Sequence, residues 1–454
     1  VLVRRVAIAV ALVVILGGPF DVASQTAPAP TTPPPGVTPP PSLQVLTQRP
    51  ITVDEAVAIA LDSQPNIHAR LGDYAAAKYR VDQALSPLLP QLAAAVSTSR
   101  SQSTTVITSS TTGLTTTSTT TRDWGESFAA QLTLSQLLFD FGKTRASVDA
   151  ARKLSEVALE DVELQRQLIT QTVKQAYTNI NFAQRLIRVN EQALQRAELN
   201  LRSARGFFDV GTRPKSDVTR AEVDVANARV DVIRARNAER LARVALNTAM
   251  GVRADTPTQV EDSLVYQPMS MDRTKLMDEA LRRRPESRQA RLRADAADAL
   301  VRRAVRDFYP DITGAAAYGG TRTQLDEAWS ATLSLSWSIF DGGNRIARHR
   351  EARANLDAAQ ARVRATELDI QRDVEQAQIQ VSEAEERIQA AQKAVESAQE
   401  NFRLAQGRFD AGVGTILELT DAQLALTQTQ NTEAQALADY RIALSNLDRA
   451  VGLR

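Results

Sequence analysis

The chain reads FDVGTRPKSD over Phe208–Asp217 and FDAGVGTILE over Phe409–Glu418. The second stretch begins 201 positions after the first. Glycine just past a helix commonly supplies a left-handed C-terminal cap. Proline suits the first turn of the helix that follows. Pro214 therefore opens one helix, and Thr415 with Glu418 predicts a T-x-x-E capping box at the start of another. Each stretch predicts a tight turn between two helices. The offset of 201 also relates Leu138-Phe139-Asp140-Phe141-Gly142 to Ile339-Phe340-Asp341-Gly342-Gly343, and Ala249-Met250-Gly251-Val252 to Ala450-Val451-Gly452-Leu453. The chain is an internal duplication.

Upstream the offset becomes 220, relating Ala60-Leu61 and Pro65 to Ala280-Leu281 and Pro285, and Pro90 to Pro310. The first copy thus holds 19 extra residues between Pro90 and Phe139, in or near the Ser/Thr-rich tract Ser97–Arg122. A tract this polar cannot form a core, and it predicts an exposed loop between two strands.

The flanking strands show a period of two. Over Trp329–Phe340 one face carries Trp329, Ala331, Leu333, Leu335, Trp337 and Ile339, and the other is mostly serine. In the first copy Phe128, Ala130, Leu132 and Leu134 share a face. Leu92–Thr98 and Ile312–Tyr318 are weaker partners, each opened by a proline. Such strands place water on one side and lipid or protein core on the other. Alternation alone does not separate those two.

The helices have a period of seven. Val374, Val381, Ile388, Val395, Phe402 and Phe409 recur with Ala377, Ala384, Ala391, Ala398 and Ala405 three residues on. The first copy repeats the seam with Val173, Ile180, Ile187, Leu194, Leu201 and Phe208, and with Ala176, Ala183, Asn190, Ala197 and Ala204. Large residues at one seam position and alanine at the other admit a close helix partner. At 1.5 Å per residue the helix from about Lys143 to Phe207 runs about 95 Å. The return helix after Pro214 runs about 55 Å and the helix from about Asn66 to Leu85 about 30 Å. Each copy therefore predicts one long helix beside two shorter helices stacked end to end. The glycine turn lies at one far end and the strand pair at the other.

Composition narrows the function. A net charge of +1 gives nucleic-acid binding no electrostatic support. There is no cysteine, hence no disulfide. Residues 1–24 read as a secretory signal, with Arg4 and Arg5 before the apolar run Val6–Leu16, and residues 25–50 as a Pro/Thr-rich linker. No other segment has the apolar length of a membrane helix, so membrane entry requires strands. Four strands cannot close a membrane barrel, so the chain must oligomerise to cover its strand edges.

These residues resemble the TolC-like outer-membrane efflux proteins over nearly the whole mature length. The resemblance rests on the duplication, on the LFDFG and IFDGG motifs leaving the strands, on the two hairpin motifs, and on the helix breaks at Gln64-Pro65 and Arg284-Pro285. It implies a mainly α fold with a small β part. Duplicated helical hairpins would form a trimeric α-barrel, and four strands per chain would enter a 12-stranded outer-membrane barrel. The expected first repeat covers 51–252, with strands about 90–102 and 124–140 and a tip at 209–215. An equatorial linker, 253–275, precedes the second repeat, 276–454, with strands about 310–320 and 328–341 and a tip at 410–416. The implied protein is a passive exit conduit in the outer membrane, its tunnel in the periplasm, and not an enzyme. Its implied partners are two further copies, a periplasmic adaptor, an inner-membrane transporter reached directly or through that adaptor, and outer-membrane lipid. No cofactor is implied.

The resemblance places Gly211, Thr212, Arg213, Gly412, Val413, Gly414 and Thr415 on an adaptor-contact surface. It maps a tunnel-mouth gate or selectivity ring onto Phe409, Glu418 and Asp421, with Asp217 the first-copy acid. Acids near helix starts also simply offset the macrodipole. The arginine after Gly-Thr survives only as Arg213, opposite Gly414, so an interhelix lock using a second-copy arginine is not expected. Gly142-Lys143-Thr144 ends like a phosphate-binding loop, but the required first glycine is Leu137, which rules that motif out. His68 and His349 are the only histidines and share no metal-ligand spacing, so no metal site is expected. Two other functions fit part of the pattern: the outer component of a type I protein secretion system, and a trimeric coiled-coil adhesin or fibre. The duplicated strand pairs and matched hairpin lengths argue against the fibre.

Overall fold

The computed structural model describes residues 49–111, 115–262, 264–266, 268, 272–321 and 324–453. The expected signal and most of the expected linker lie outside the described residues. The chain divides into two compact units. One comprises Arg80–Ala150 with Ala299–Arg353, the other 49–79, Ala151–Asp298 and 354–453.

The first unit is built on a four-stranded antiparallel sheet. Its strands are β1 (Gln91–Thr111), β2 (Thr115–Phe139), β3 (Asp311–Thr321) and β4 (Gln324–Ser336), in that spatial order. The register puts most of the large apolar residues of the four strands on one face. Leu92 stands opposite Leu134, Leu134 opposite Ala316, and Ala316 opposite Ala331. In the next rows Leu132 meets Tyr318 and Tyr318 meets Trp329. This face is open: Trp329 is 78% exposed and Leu333 73%. The opposite face carries small and polar residues such as Ala93, Thr133, Ala317 and Ser330.

The Ser/Thr tract corrects one expectation. It is not a loop between short strands but lies almost wholly in β1 and β2, paired without a register shift to Thr111↔Thr115. Threonine and serine side chains suit a pleated backbone even without an apolar face, because Thr is a good strand former. The other hairpin is offset the opposite way: β4 starts earlier than expected, at Gln324, and ends earlier, at Ser336.

The second unit is helical. It holds α1 (Val53–Ser63) and most of α2 (Pro65–Leu85), together with α4 (Lys215–Ala249), α5 (Arg273–Arg283) and α8 (Ile416–Val451). It also holds most of α3 (Lys143–Asp209), α6 (Pro285–Arg306) and α7 (Asn344–Asp410). The heptad seams are buried. Val374, Ala377, Val381, Ala384 and Ile388 of α7 pack with Leu437, Tyr440 and Leu447 of α8. Val173, Ala176 and Ile180 of α3 pack with Leu246 and Met250 at the end of α4 and with Ile59 and Ala60 of α1. At the sequence offset Val173, Ala176, Ile180, Leu246 and Met250 match Val374, Ala377, Val381, Leu447 and Val451, whereas Tyr177 and Tyr440 each belong to one core alone.

Polar contacts also join the two hairpins. Lys174 pairs with Asp448 at 2.7 Å, Gln171 and Gln175 donate to Asn446, and Asn200 donates to Gln423 at 2.7 Å. Helix breaks fall where proline excludes the helical backbone from the residue before it. Gln64 is extended, and its side chain donates to the carbonyl of Ala249 at 2.9 Å. Gly251, at φ +74°, abuts this break so closely that a Cβ would lie 2.9 Å from the Gln64 Cα. This contact is the end-to-end stack expected from the helix lengths.

Tips of the two helical hairpins as the candidate functional site

Both tips are Schellman turns. In the first, the amide of Gly211 donates to Phe208 and that of Thr212 to Phe207. In the second, Gly412 donates to Phe409 and Val413 to Arg408. Gly211 and Gly412 hold φ of +75° and +77°, a region costly for any residue with a Cβ. Gly211, Thr212, Gly412, Val413 and Thr415 are exposed on these turns, while Gly414 is buried.

The two turns touch through Arg213. Its guanidinium donates to the carbonyl of Gly414 at 2.6 Å. The same group lies 4.3 Å from the ring centre of Phe409 and 5.6 Å from that of Phe207, and 3.5 Å from the carboxylate of Asp217. Phe207 and Phe409 meet edge to face at 5.7 Å. A half-desolvated cation over aromatic faces gains more than one in water. The residue that accepts Arg213 is its own counterpart in the second copy. A Cβ at Gly414 would lie 3.0 Å from the Phe409 amide nitrogen and the Arg408 carbonyl carbon, so glycine is what lets this turn close. An interhairpin contact thus exists, made by the arginine of the first copy.

Three site expectations change. Phe409 is fully buried and packs with Ala405, Ile416, Leu419 and Ala422, so it holds the tip together and presents no surface for a mouth. Phe208, placed in the seam by its heptad position, is exposed, and the neighbouring Phe207 turns inward instead. Thr415 does accept from the Glu418 amide at 3.2 Å. The Glu418 carboxylate, however, reaches Arg408 at 3.1 Å, so the capping box is only half made. Asp421 is exposed and Asp217 half-buried against Arg213. The sequence reading missed Phe207 and Arg408. The only available signal was the aromatic doublet Phe207-Phe208, whose second member the seven-residue period selects.

A second charged cluster sits at the helix break of the second copy. Arg284 is buried, 2.9 Å from Glu286 and 3.0 Å from Asp373. Burial of Glu286 opposes its ionisation, but the Arg284 hydrogen bonds outweigh it and hold the carboxyl below the usual range. Asp373 is lowered in the same way, against burial, by Arg372 and Arg284. In the first copy, the Tyr177 hydroxyl donates to the carbonyls of Ile51 and Glu261, and burial pushes its pKa up to about 12. Lys143 of the rejected phosphate motif is tied to Asp311 at 2.8 Å. His68 lies against the Asp62 carbonyl. Among the described residues no cluster of three metal-ligating side chains occurs, and no helix is long and apolar enough to cross a membrane.

The outer membrane efflux protein family matches the chain over residues 56–252 and again over 276–453. The outer membrane protein TolC of Escherichia coli K12 is 25% identical over 416 residues, 86% of this chain and 80% of TolC. Among solved structures, the fold is similar to that of the outer membrane protein VceC of Vibrio cholerae. The TM-score is 0.71 at 20% identity, over 88% of this chain and 96% of VceC. It is also similar to the open state of the Neisseria gonorrhoeae outer membrane channel MtrE, with a TM-score of 0.71 at 21% identity, over 88% and 89% of the two chains. The open apolar sheet, the duplicated hairpins and the doubled family match agree, and the chain belongs to the outer membrane efflux protein family, as a transport channel of the outer membrane.

Proposed function

We propose that three copies of this chain form one passive exit conduit, which exports small molecules in a tripartite assembly with a periplasmic adaptor and an inner-membrane pump. The observation that carries this reading is the open sheet. Its apolar face is bordered by aromatic residues, with Phe128, Tyr318 and Trp329 at one end and Phe139, Tyr309 and Trp337 at the other. Along β2 the eleven steps from Phe128 to Phe139 cover about 36 Å. A tilt of about 40° projects that length to about 28 Å, close to the apolar band of an outer-membrane barrel. The free edges of β1 and β4 must be paired in lipid. Three copies supply twelve strands and pair every edge.

In this assembly the tips Gly211–Arg213 and Gly412–Thr415 meet the adaptor, and Glu418 and Asp421, with Asp217, form the acidic surface at the tunnel mouth. Arg213 holds the two hairpins of one copy together there. The family resemblance and the exposure of the turns support this placement. Deletion of the gene should raise cellular accumulation of a hydrophobic fluorescent dye and leave the secreted proteins unchanged. Loss of one secreted protein with normal dye accumulation would instead assign the conduit to protein secretion. Crosslinkers at Thr212 and Thr415 should capture a periplasmic adaptor; labelling of those sites from outside intact cells would reverse the orientation. Channels carrying Glu418→Ala and Asp421→Ala that keep unaltered cation block would remove the acidic surface from the mechanism.

A further inference from the structure

The β1–β2 hairpin outlasts its neighbours. β3 ends its pairing with β2 at Ala129↔Thr321, and β4 begins at Gln324 opposite Thr321. From Thr98↔Phe128 to Thr111↔Thr115 the strand ladder among the described residues joins these two strands alone. At about 3.3 Å per residue this leaves a two-stranded ribbon about 45 Å long. An isolated two-stranded ribbon is at best marginally stable in water. Here Thr and Ser give strand propensity, but the sequence offers no apolar face from Ser99 to Thr105 or from Thr115 to Arg122.

The distal half of the ribbon, from Thr105↔Thr121 onward, also lacks the usual devices against edge pairing, whereas Arg100, Arg122, Asp123 and Glu126 lie in the half next to the sheet. Proteins blunt free edges with lysine, proline, inward charges or bulges. From Ser101 to Thr121 there is no charged residue and no proline. The β1–β2 ladder has no register shift along its whole length. An edge left this plain is a template for another strand.

We infer that the occupant of these edges is the same ribbon of the neighbouring copies, so that three ribbons lean together into a six-stranded collar beyond the apolar band. This rests on the trimeric reading above. In a ring ordered β1-β2-β3-β4 and repeated, the β2 edge of one ribbon is three strand spacings from the next β1 edge. That gap is about 14 Å. A ribbon about 45 Å long crosses it with a modest lean. Barrel width grows roughly linearly with strand number, so the collar is about half as wide as the twelve-stranded barrel beneath it. It would narrow the outer opening while leaving the membrane band unchanged.

The chain has no cysteine, so single substitutions report cleanly. Thr108→Cys in the ribbon and Gln324→Cys at the rim would be made in the full-length protein, reconstituted in phospholipid, and treated with a bismaleimide spanning about two strand spacings. The collar predicts several-fold more covalent dimer from Thr108→Cys than from Gln324→Cys. Thr117→Cys, on the other strand, should behave like Thr108→Cys and covers a folding failure of the first variant. Equal or weaker crosslinking from both ribbon sites, with native mass still that of a trimer, overturns the collar. Crosslinking lost specifically when lipopolysaccharide is added would give the ribbon edges to sugar instead, and also overturns it. A native mass that is not trimeric would sink the trimeric reading itself, a distinguishable result.

Discussion

The two copies of the repeat match in backbone and differ in how they are pinned. Their tips share the same turn, with φ of +75° and +77° at the glycines. Yet Arg213 in the first copy faces Gly414 in the second, and the arginine bonds its own counterpart's carbonyl. At the helix breaks the difference is reversed. The first copy uses neutral Gln64 to cap a neighbouring helix, whereas the second buries Arg284 between two carboxylates. Duplication supplied two similar helical frames; Arg213 ties one to the other, while Gln64 and Arg284 each hold the break of their own copy.

The largest test of this comparison is Arg284→Met. Removing the cation leaves Glu286 and Asp373 without their shared counter-charge, which should cost about 3–5 kcal/mol of stability near pH 7. Gln64→Met, its first-copy counterpart, loses only neutral hydrogen bonds, to the Thr248 and Ala249 carbonyls, and should cost about 1–2 kcal/mol. Thermal dissociation of the assembly would measure both. Because Glu286 and Asp373 have lowered pKa values, their pairing stabilises above the ordinary carboxylate range. That stabilisation fades as pH falls through the lowered values. The deficit of Arg284→Met should therefore shrink in acid.

Phe409→Ala empties a fully buried site and should destabilise the tip by about 3 kcal/mol. The equivalent Phe208→Ala removes an exposed ring and should cost well under about 1 kcal/mol. Amide exchange at residues 405–422 would separate them. Arg213→Lys keeps the charge but loses the planar fork over Phe409, and should raise exchange at both tips by an amount equivalent to about 1–2 kcal/mol. The smallest effect belongs to Glu418→Gln. Its ion pair with Arg408 is exposed, so the change should fall below about 0.5 kcal/mol. Asp217→Asn, at the half-buried counterpart, should exceed it.

Much of this fold was legible because burial is periodic in long helices. The repeat, the hairpin turns, the helix breaks and the heptad seams follow from spacing alone, and Val173, Val374, Ile180 and Val381 are buried as that spacing requires. The tip was less legible. Which of Phe207 and Phe208 turns inward depends on where the last helical turn tightens, a detail the seven-residue period does not carry. Pairing of Arg213 with a backbone carbonyl was also hidden, since any residue can offer a carbonyl. The Ser/Thr tract misled because polarity was taken to exclude strand, whereas extended backbone with its ladder bonds made tolerates a fully polar surface.

Single-channel recording in a planar bilayer tests the central claim most directly. A purified assembly with the mass of three chains should insert and give discrete, long-lived conductance steps. A folded assembly of that mass that inserts without conducting would contradict the account.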